Sequence, residues 1–181
     1  MQAADFNAGW AYRHLDADED WTAVTIPHDA MLYEPRHALA ASGLNSGWFE
    51  GRDYEYVKHF MPERDMVGSR MLLEFEGVYH HAEVWVNGEK AAFRPYGYTN
   101  FYVDLTGRVR FGEDNEIRVI ARNADQPNSR WYSGAGIYRP VTLWTSPAEH
   151  IAVDGLFVRT IAADPANGTA RIRVEVETTA A

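Results

Sequence analysis

The sequence predicts an all-β fold, a sandwich of the jelly-roll type followed by the first strands of a second, incomplete β domain. Three observations carry that prediction. Apolar and polar residues alternate at period two through Leu73 and Phe75 and again through Ala82, Val84 and Val86, the pattern of strands with one buried face. Asn87-Gly88 ends this stretch with a dipeptide that accepts positive φ at both central positions of a type I′ turn. No segment sustains a 3.6-residue apolar stripe, so no amphipathic helix is expected.

Taken in order, Phe6 to Val24 reads as an edge strand and a charged loop. Pro27 holds Ile26 extended and removes a ladder donor. From His28 to Asn45 the composition is irregular, with Pro35, Gly43 and Asn45 breaking any helix; a loop of more than about 15 residues without periodicity is usually functional or mobile. Gly47 to Phe60 restores the alternation, with Tyr54, Tyr56 and Lys58 on one face. Pro62 to Ser69 is a charged connector into the stretch Met71–Gly88, which reads as a central pair beside which the other strands are added. Ala91 to Pro95 makes the return strand, Pro95 to Thr99 an aromatic turn, and Phe101 to Leu105 another strand. A further hairpin is expected from Val109 and Phe111, through Gly112 to Asn115, into Ile117, Val119 and Ala121. Asn123 to Tyr138 again lacks a pattern, Val141 and Leu143 form a last strand, and Thr145-Ser146-Pro147 reads as a boundary. Beyond it lie two more strands, Val153 to Thr160 and Ala170 to Val176. The expected domains are therefore 1–147 and 148–181, the second too short to close a sandwich of about 100 residues.

Composition narrows the partners. A net charge of −9 argues against nucleic acid and anionic membranes, whose binding is driven by Lys and Arg. With 6 Trp and 10 Tyr the chain is rich in side chains that offer both an apolar face and a polar tip. The absence of cysteine removes disulfides, thiol nucleophiles and thiolate metal sites. Asp5, Arg13, Asp16, Asp18, Glu19 and Asp20 interrupt the first twenty residues where a signal peptide needs an apolar run, and no segment reaches the ~20 apolar residues of a membrane span. The chain as given reads as soluble and cytoplasmic, with no cofactor.

Several residues that invite a chemical role have plainer readings. Glu74 and Glu76 lie two apart on a strand, about 7 Å between Cα atoms, and read as a solvated face. His80 and His81, as adjacent strand residues, point to opposite faces and do not share a metal ion. Ser133 lacks the G-x-S-x-G context of a nucleophile elbow.

Five segments, IPHDA (26–30), GWFEG (47–51), FEGVY with AEVWVNG (75–79 and 82–88), PYGYTNFYVDLT (95–106) and RWYSGAGIYRPV (130–141), together resemble the N-terminal sugar-binding, galactose-binding-domain-like jelly roll of glycoside hydrolase family 2. The resemblance covers residues 5–147, and the tail resembles the start of that family's immunoglobulin-like domain. RWYSGAGIYRPV is most similar to bacterial β-galactosidases, with β-glucuronidases and β-mannosidases as near relatives. Retaining hydrolysis of this kind uses two carboxylates about 5 Å apart, which the family places on a TIM barrel of about 250 residues. This sequence has no room for one, so the resemblance implies a chain without the catalytic pair.

The resemblance also implies that Asn123 to Tyr138 approaches the sugar pocket. Asp125 and Asn128 suit sugar hydroxyls, Arg130 suits an acceptor oxygen, and Trp131 offers a face to a pyranose ring. For Arg130 and Trp131 the alternative is structural: an ion pair for the arginine, and a tryptophan that pins the loop with Tyr132. His28 and Asp29, with the loop through Asn45, form a second candidate wall, and Arg139 reads as structural. The expected function is a non-catalytic sugar-binding domain of a β-galactosidase, partnered with a β-galactoside, an absent barrel and, as a further candidate, a second copy of the chain. A free-standing carbohydrate-binding module and a purely structural interaction domain are the alternatives.

Overall fold

The computed structural model describes residues 1–179; the last two residues of the expected 148–181 segment lie outside them. Twelve strands form in chain order: β1 (Gln2–Asp5), β2 (Trp10–His14), β3 (Thr22–Val24), β4 (Tyr54–Phe60), β5 (Arg70–Phe75), β6 (Ala82–Val86), β7 (Glu89–Arg94), β8 (Phe101–Asp104), β9 (Asn115–Ala121), β10 (Val141–Ser146), β11 (His150–Asp164) and β12 (Thr169–Thr179). A six-stranded sheet runs β3-β2-β4-β9-β6-β7 and a four-stranded sheet runs β1-β10-β5-β8. The strand pairings within both sheets are antiparallel.

The alternation in the sequence explains how the two sheets face each other. Met71, Leu73 and Phe75 of β5 and Val103 of β8 point inward from one sheet; Tyr54, Tyr56, Val84, Ile117 and Val119 point inward from the other, and all are buried. Trp10 of β2 crosses the gap to Phe75, with ring centroids 6.5 Å apart, and Phe75 stacks on Phe101 at 5.1 Å. Removing such rings from water is the main source of cohesion, at about 25 cal/mol per Å² of apolar surface. Asn87 and Gly88 both take positive φ, 50° and 83°, and turn β6 back into β7.

Four expectations about the strands are corrected. β5 and β6 do not pair: they lie in opposite sheets, because alternation identifies a buried face but not the sheet that owns it. Strand β2, expected at an edge, is internal, and the short β3 is the edge on its side of the six-stranded sheet. Val109 and Phe111 are not in a strand. The buried Asn115 side chain accepts from the Arg110 N–H (2.8 Å) and donates to the carbonyls of Arg110 and Glu113 (2.9 Å each), which closes that segment into a loop. β9 pairs instead with β4 and β6. His80 and His81 are not in a strand either, and their Nδ1 atoms face each other, so the argument that they point apart does not hold. β1 has four exposed residues and no apolar signal; it is held by its ladder to β10.

After Ser146, β11 and β12 pair only with each other and leave Leu156, Phe157, Val158, Ile172 and Val174 each more than half exposed.

Candidate functional site

The irregular segment 123–138 crosses one end of the sandwich and is fastened at both of its ends. At its start, Asp53, just before β4, accepts the backbone N–H groups of Asn123 (2.8 Å) and Ala124 (2.9 Å) through one carboxylate oxygen and pairs with Arg122 (3.2 Å) through the other. A carboxylate that gathers two backbone donors makes charge-assisted bonds roughly twice as strong as neutral ones. The buried Asn123 then donates to the Gly134 carbonyl (3.3 Å), tying the loop across its own width. Gly51, the last residue of GWFEG, lets the loop come close: a Cβ there would stand 2.2 Å from the Asn123 carbonyl oxygen.

At its far end the loop is held by the segment around His28 and Asp29. The His28 N–H donates to the Ile137 carbonyl (2.8 Å) and the Ala30 N–H to the Ala135 carbonyl (2.9 Å). Asp29 caps the single 3₁₀ turn Ala30–Tyr33 by accepting from the Met31 N–H (3.1 Å), and the same oxygen accepts from the Ala135 N–H (2.9 Å). Its other oxygen takes the Tyr132 hydroxyl at 2.7 Å. Burial, with the Asp29 charge adding to it, pushes the Tyr132 phenol well above its ordinary range.

His28 is buried in an aromatic box, 4.3 Å from Tyr12 and stacked on Tyr33 at 5.3 Å between centroids. The Tyr56 hydroxyl lies 2.9 Å from His28 Nδ1, within hydrogen-bond distance. Nε2 has no partner among the described residues. Burial lowers the His28 pKa, against a smaller opposing pull from Asp29.

The four residues that the sequence singles out within the loop divide sharply. The Asn128 amide is turned inward: its nitrogen donates to Asn123 Oδ1 (2.8 Å) and the Asp125 carbonyl (3.0 Å) and lies 3.0 Å from His80 Nε2, while its oxygen accepts from the Tyr79 hydroxyl at 3.3 Å. Asp125 and Arg130 are exposed, and their charged groups make no hydrogen bond or ion pair among the described residues. Trp131 is 59% exposed and donates its indole N–H to the Tyr98 hydroxyl at 3.0 Å. Tyr132 pins the loop; Trp131 leaves most of its ring in solvent. Arg139 lies over the ring of Tyr138 at 5.3 Å.

Asp53, Asn123, Gln126, whose amide nitrogen donates to Asn123 Oδ1 at 3.0 Å, and Tyr98 are site residues that sequence reasoning missed. Only GWFEG and PYGYTNF carried a hint, through glycines that permit close approach. A cleft of about 350 Å³ opens beside the loop's first residues, bounded by His14, Asp16, Arg52, Asp53 and Ala124. Next to it the buried Glu34 is fully engaged, accepting from His14 Nε2 (2.6 Å), Tyr54 Oη (3.0 Å) and Arg52 Nε (3.1 Å). The buried Glu55 is held in the same way by Arg13 (2.6 Å) and Arg118 (3.3 Å). Among the described residues, no three His, Asp or Glu side chains converge as metal ligands. Chemically the site is a rigid wall presenting an acid, a guanidinium and an indole face to solvent.

Known proteins are similar to this chain in sequence and fold. The chain is 37% identical over 172 residues to a β-galactosidase of Bacteroides ovatus, an overlap covering 90% of this chain and 20% of that protein. It is 29% identical over 157 residues to a β-glucuronidase of Formosa agariphila, covering 75% of this chain and 15% of that one. A β-glycosidase structure from Bacteroides vulgatus superposes with a TM-score of 0.87 at 29% identity, over 99% of this chain and 24% of the other. The chain thus spans about a fifth of the curated relatives it matches. The chain matches, over residues 10–164, the family described as glycosyl hydrolase 2 galactose-binding domain-like, and it belongs to that family.

Proposed function

We propose that this chain is the non-catalytic sugar-binding part of a family 2 β-galactosidase, with the 123–138 loop as one wall of the sugar pocket. The observation that carries the reading is the pairing of a loop fastened at both ends with three outward groups: the uncommitted charges of Asp125 and Arg130 and the exposed ring of Trp131, whose N–H alone is committed, to Tyr98. A pre-ordered wall loses little entropy when a ligand docks. His28, Asp29 and Asn128 support it as anchors. Galactose is favoured over glucuronate because the 37% identical relative is named a β-galactosidase, whereas the cited relative named a β-glucuronidase is 29% identical.

On this reading the two carboxylates of a retaining mechanism come from a barrel outside these residues. The most buried acids here, Glu34 and Glu55, are each neutralised by cations and serve the fold. Residues 148–181 are proposed as the opening strands of an immunoglobulin-like domain.

The test compares this chain with the longest product of its gene on nitrophenyl β-galactoside, β-glucuronide and β-mannoside. The expected result is no turnover by the chain alone and β-galactoside hydrolysis by the full product. Arg130→Ala and Trp131→Ala should raise KM in the full product at unchanged stability. Turnover by these 181 residues alone, or a preference for β-glucuronide, would sink the reading.

A further inference from the structure

A chain of aromatic side chains, with Tyr96 as a branch, leads from Trp131 on the loop to the edge of the six-stranded sheet. The Trp131 indole meets the Tyr98 hydroxyl at 3.0 Å; Tyr98 stands 5.6 Å from Tyr96 and 5.3 Å from Tyr79, centroid to centroid. From Tyr79 the contacts continue through His80 (4.7 Å) and His81 (4.4 Å) to Phe93 on β7 (6.3 Å). Trp131, Tyr96 and Phe93 are 59%, 57% and 54% exposed, while Tyr79 is buried and backs the row. Three large rings left in solvent and joined by one chain of ring contacts, with the Lys90 ammonium 5.3 Å from the Phe93 centroid, ask for an explanation beyond the scatter of single apolar residues on any surface.

The ridge is built and held in place. Gly97 lets the turn between Tyr96 and Tyr98 sit on Tyr79, since a Cβ there would stand 2.6 Å from Tyr79 Cδ2. The Tyr138 hydroxyl clamps the same turn by donating to the Gly97 carbonyl at 2.8 Å, and Arg94 fixes its far side through Thr99 Oγ1 at 2.6 Å. Rigid aromatic rings bind at low entropic cost.

We infer that this ridge is a binding track for a β-linked oligosaccharide, extending the sugar site at Trp131 to ligands longer than a disaccharide. The inference rests on the sugar-wall reading for its starting point. Its chemistry is that of a saccharide rather than a protein partner: the exposed rings are joined through Tyr98, Tyr79, His80 and His81, side chains that each carry a phenol or imidazole tip. Pyranose rings present the complement, an apolar C–H face edged by hydroxyls. A protein interface would centre instead on contiguous apolar surface depleted in polar tips.

The test titrates the chain with galactose, then with β-linked galacto-oligosaccharides of two to six units, by calorimetry and tryptophan fluorescence. A matching β-linked gluco-oligosaccharide series runs alongside. The expected result is affinity that climbs about tenfold between one and four units. Tyr96→Ala and Phe93→Ala should remove the climb while leaving the monosaccharide response unchanged, and Tyr96→Phe should keep it. Near-ultraviolet circular dichroism verifies the fold of each variant. Affinity independent of length in both series overturns the track, and if Trp131→Ala then still abolishes the galactose response, the sugar-wall reading survives that failure. A climb seen only with the gluco series supports the track and counts against a galactoside parent. Self-association that Tyr96→Ala abolishes, without any effect of sugar length, makes the ridge a contact between copies and also overturns the inference.

Discussion

Replacing Asp29 by alanine removes one carboxylate and strands three donors, and its cost can be worked from their surroundings. The Ala135 N–H is buried, so losing its acceptor costs about 1–3 kcal/mol. The Met31 N–H loses its cap on the first 3₁₀ turn, worth about 1 kcal/mol. The Tyr132 hydroxyl is on a residue 37% exposed, so water replaces most of that bond. The bonds share one acceptor and are not additive, which puts the total near 3 kcal/mol. For a denaturant slope of about 2 kcal/mol per molar urea, the midpoint should fall by about 1.5 M. Trypsin gives the local readout, because Arg130 lies within the freed segment and is already exposed. Cleavage there should accelerate well before global unfolding. Asp29→Asn keeps an oxygen for the two backbone donors and should lose about half as much. A midpoint shift under about 0.5 M, with trypsin resistance unchanged, would refute the claim that this carboxylate fastens the loop.

Three further outcomes are expected. Gly136→Ala should cost more than about 3 kcal/mol in urea unfolding, or prevent folding: φ is +96°, a Cβ would stand 2.0 Å from the Tyr56 hydroxyl, and the backbone is tied to Tyr79 in both directions. Gly88→Ala, in open space at φ +83°, should cost only about 1 kcal/mol, and equal losses at the two sites would contradict the steric account. Burial lowers the pKa of His28, and burial together with His81 lowers that of His80. The folded state therefore prefers both rings neutral, so their contribution is complete above the ordinary histidine range near 6.5 and is lost as pH falls through the lowered folded values. Urea midpoints should drop from pH 7.5 to 5, and less steeply in His28→Phe; a midpoint that rises on acidification would reverse the sign. Leu73→Ala, at a fully buried position of β5, should cost about 3 kcal/mol by thermal or urea unfolding, and a cost below about 1 kcal/mol would mean that the facing sheets are not closely packed there.

The strands most legible in the sequence were those whose two faces meet different media. β5, β6 and β9 alternate cleanly between buried and half-exposed residues, and the apolar code records that difference. β1 was not legible because its residues are exposed on both faces and its only claim to strand geometry is a ladder to β10, supplied by a partner about 140 residues away. Sheet membership was lost for a similar reason: β5 and β6 carry the same pattern, and nothing local says that they face each other across the core instead of lying side by side. In the site, Asp29 was visible within a motif, but Asp53, one of 26 acidic residues, was not. What distinguishes it is its position beneath the Asn123 and Ala124 N–H groups, 70 and 71 residues away, which no period records.

The six candidate residues named from sequence separate by how much of their hydrogen-bonding capacity the fold has consumed. Asp29 spends both oxygens on the loop, Asn128 spends both ends of its amide, and His28 spends Nδ1 on Tyr56 while its ring is walled in by Tyr12 and Tyr33. A side chain whose donors and acceptors are already satisfied gains little by exchanging them for a sugar hydroxyl. Asp125 and Arg130 have spent none of their charged groups, and Trp131 has spent one N–H and neither face. The separation sets two classes of response. Substitutions at the first three should move stability and carry any loss of binding with them, whereas substitutions at the last three should alter ligand affinity at constant unfolding midpoint. The 3.0 Å contact between Asn128 and His80 links the classes, since it joins the residue that anchors the middle of the loop to the aromatic row that begins at Trp131.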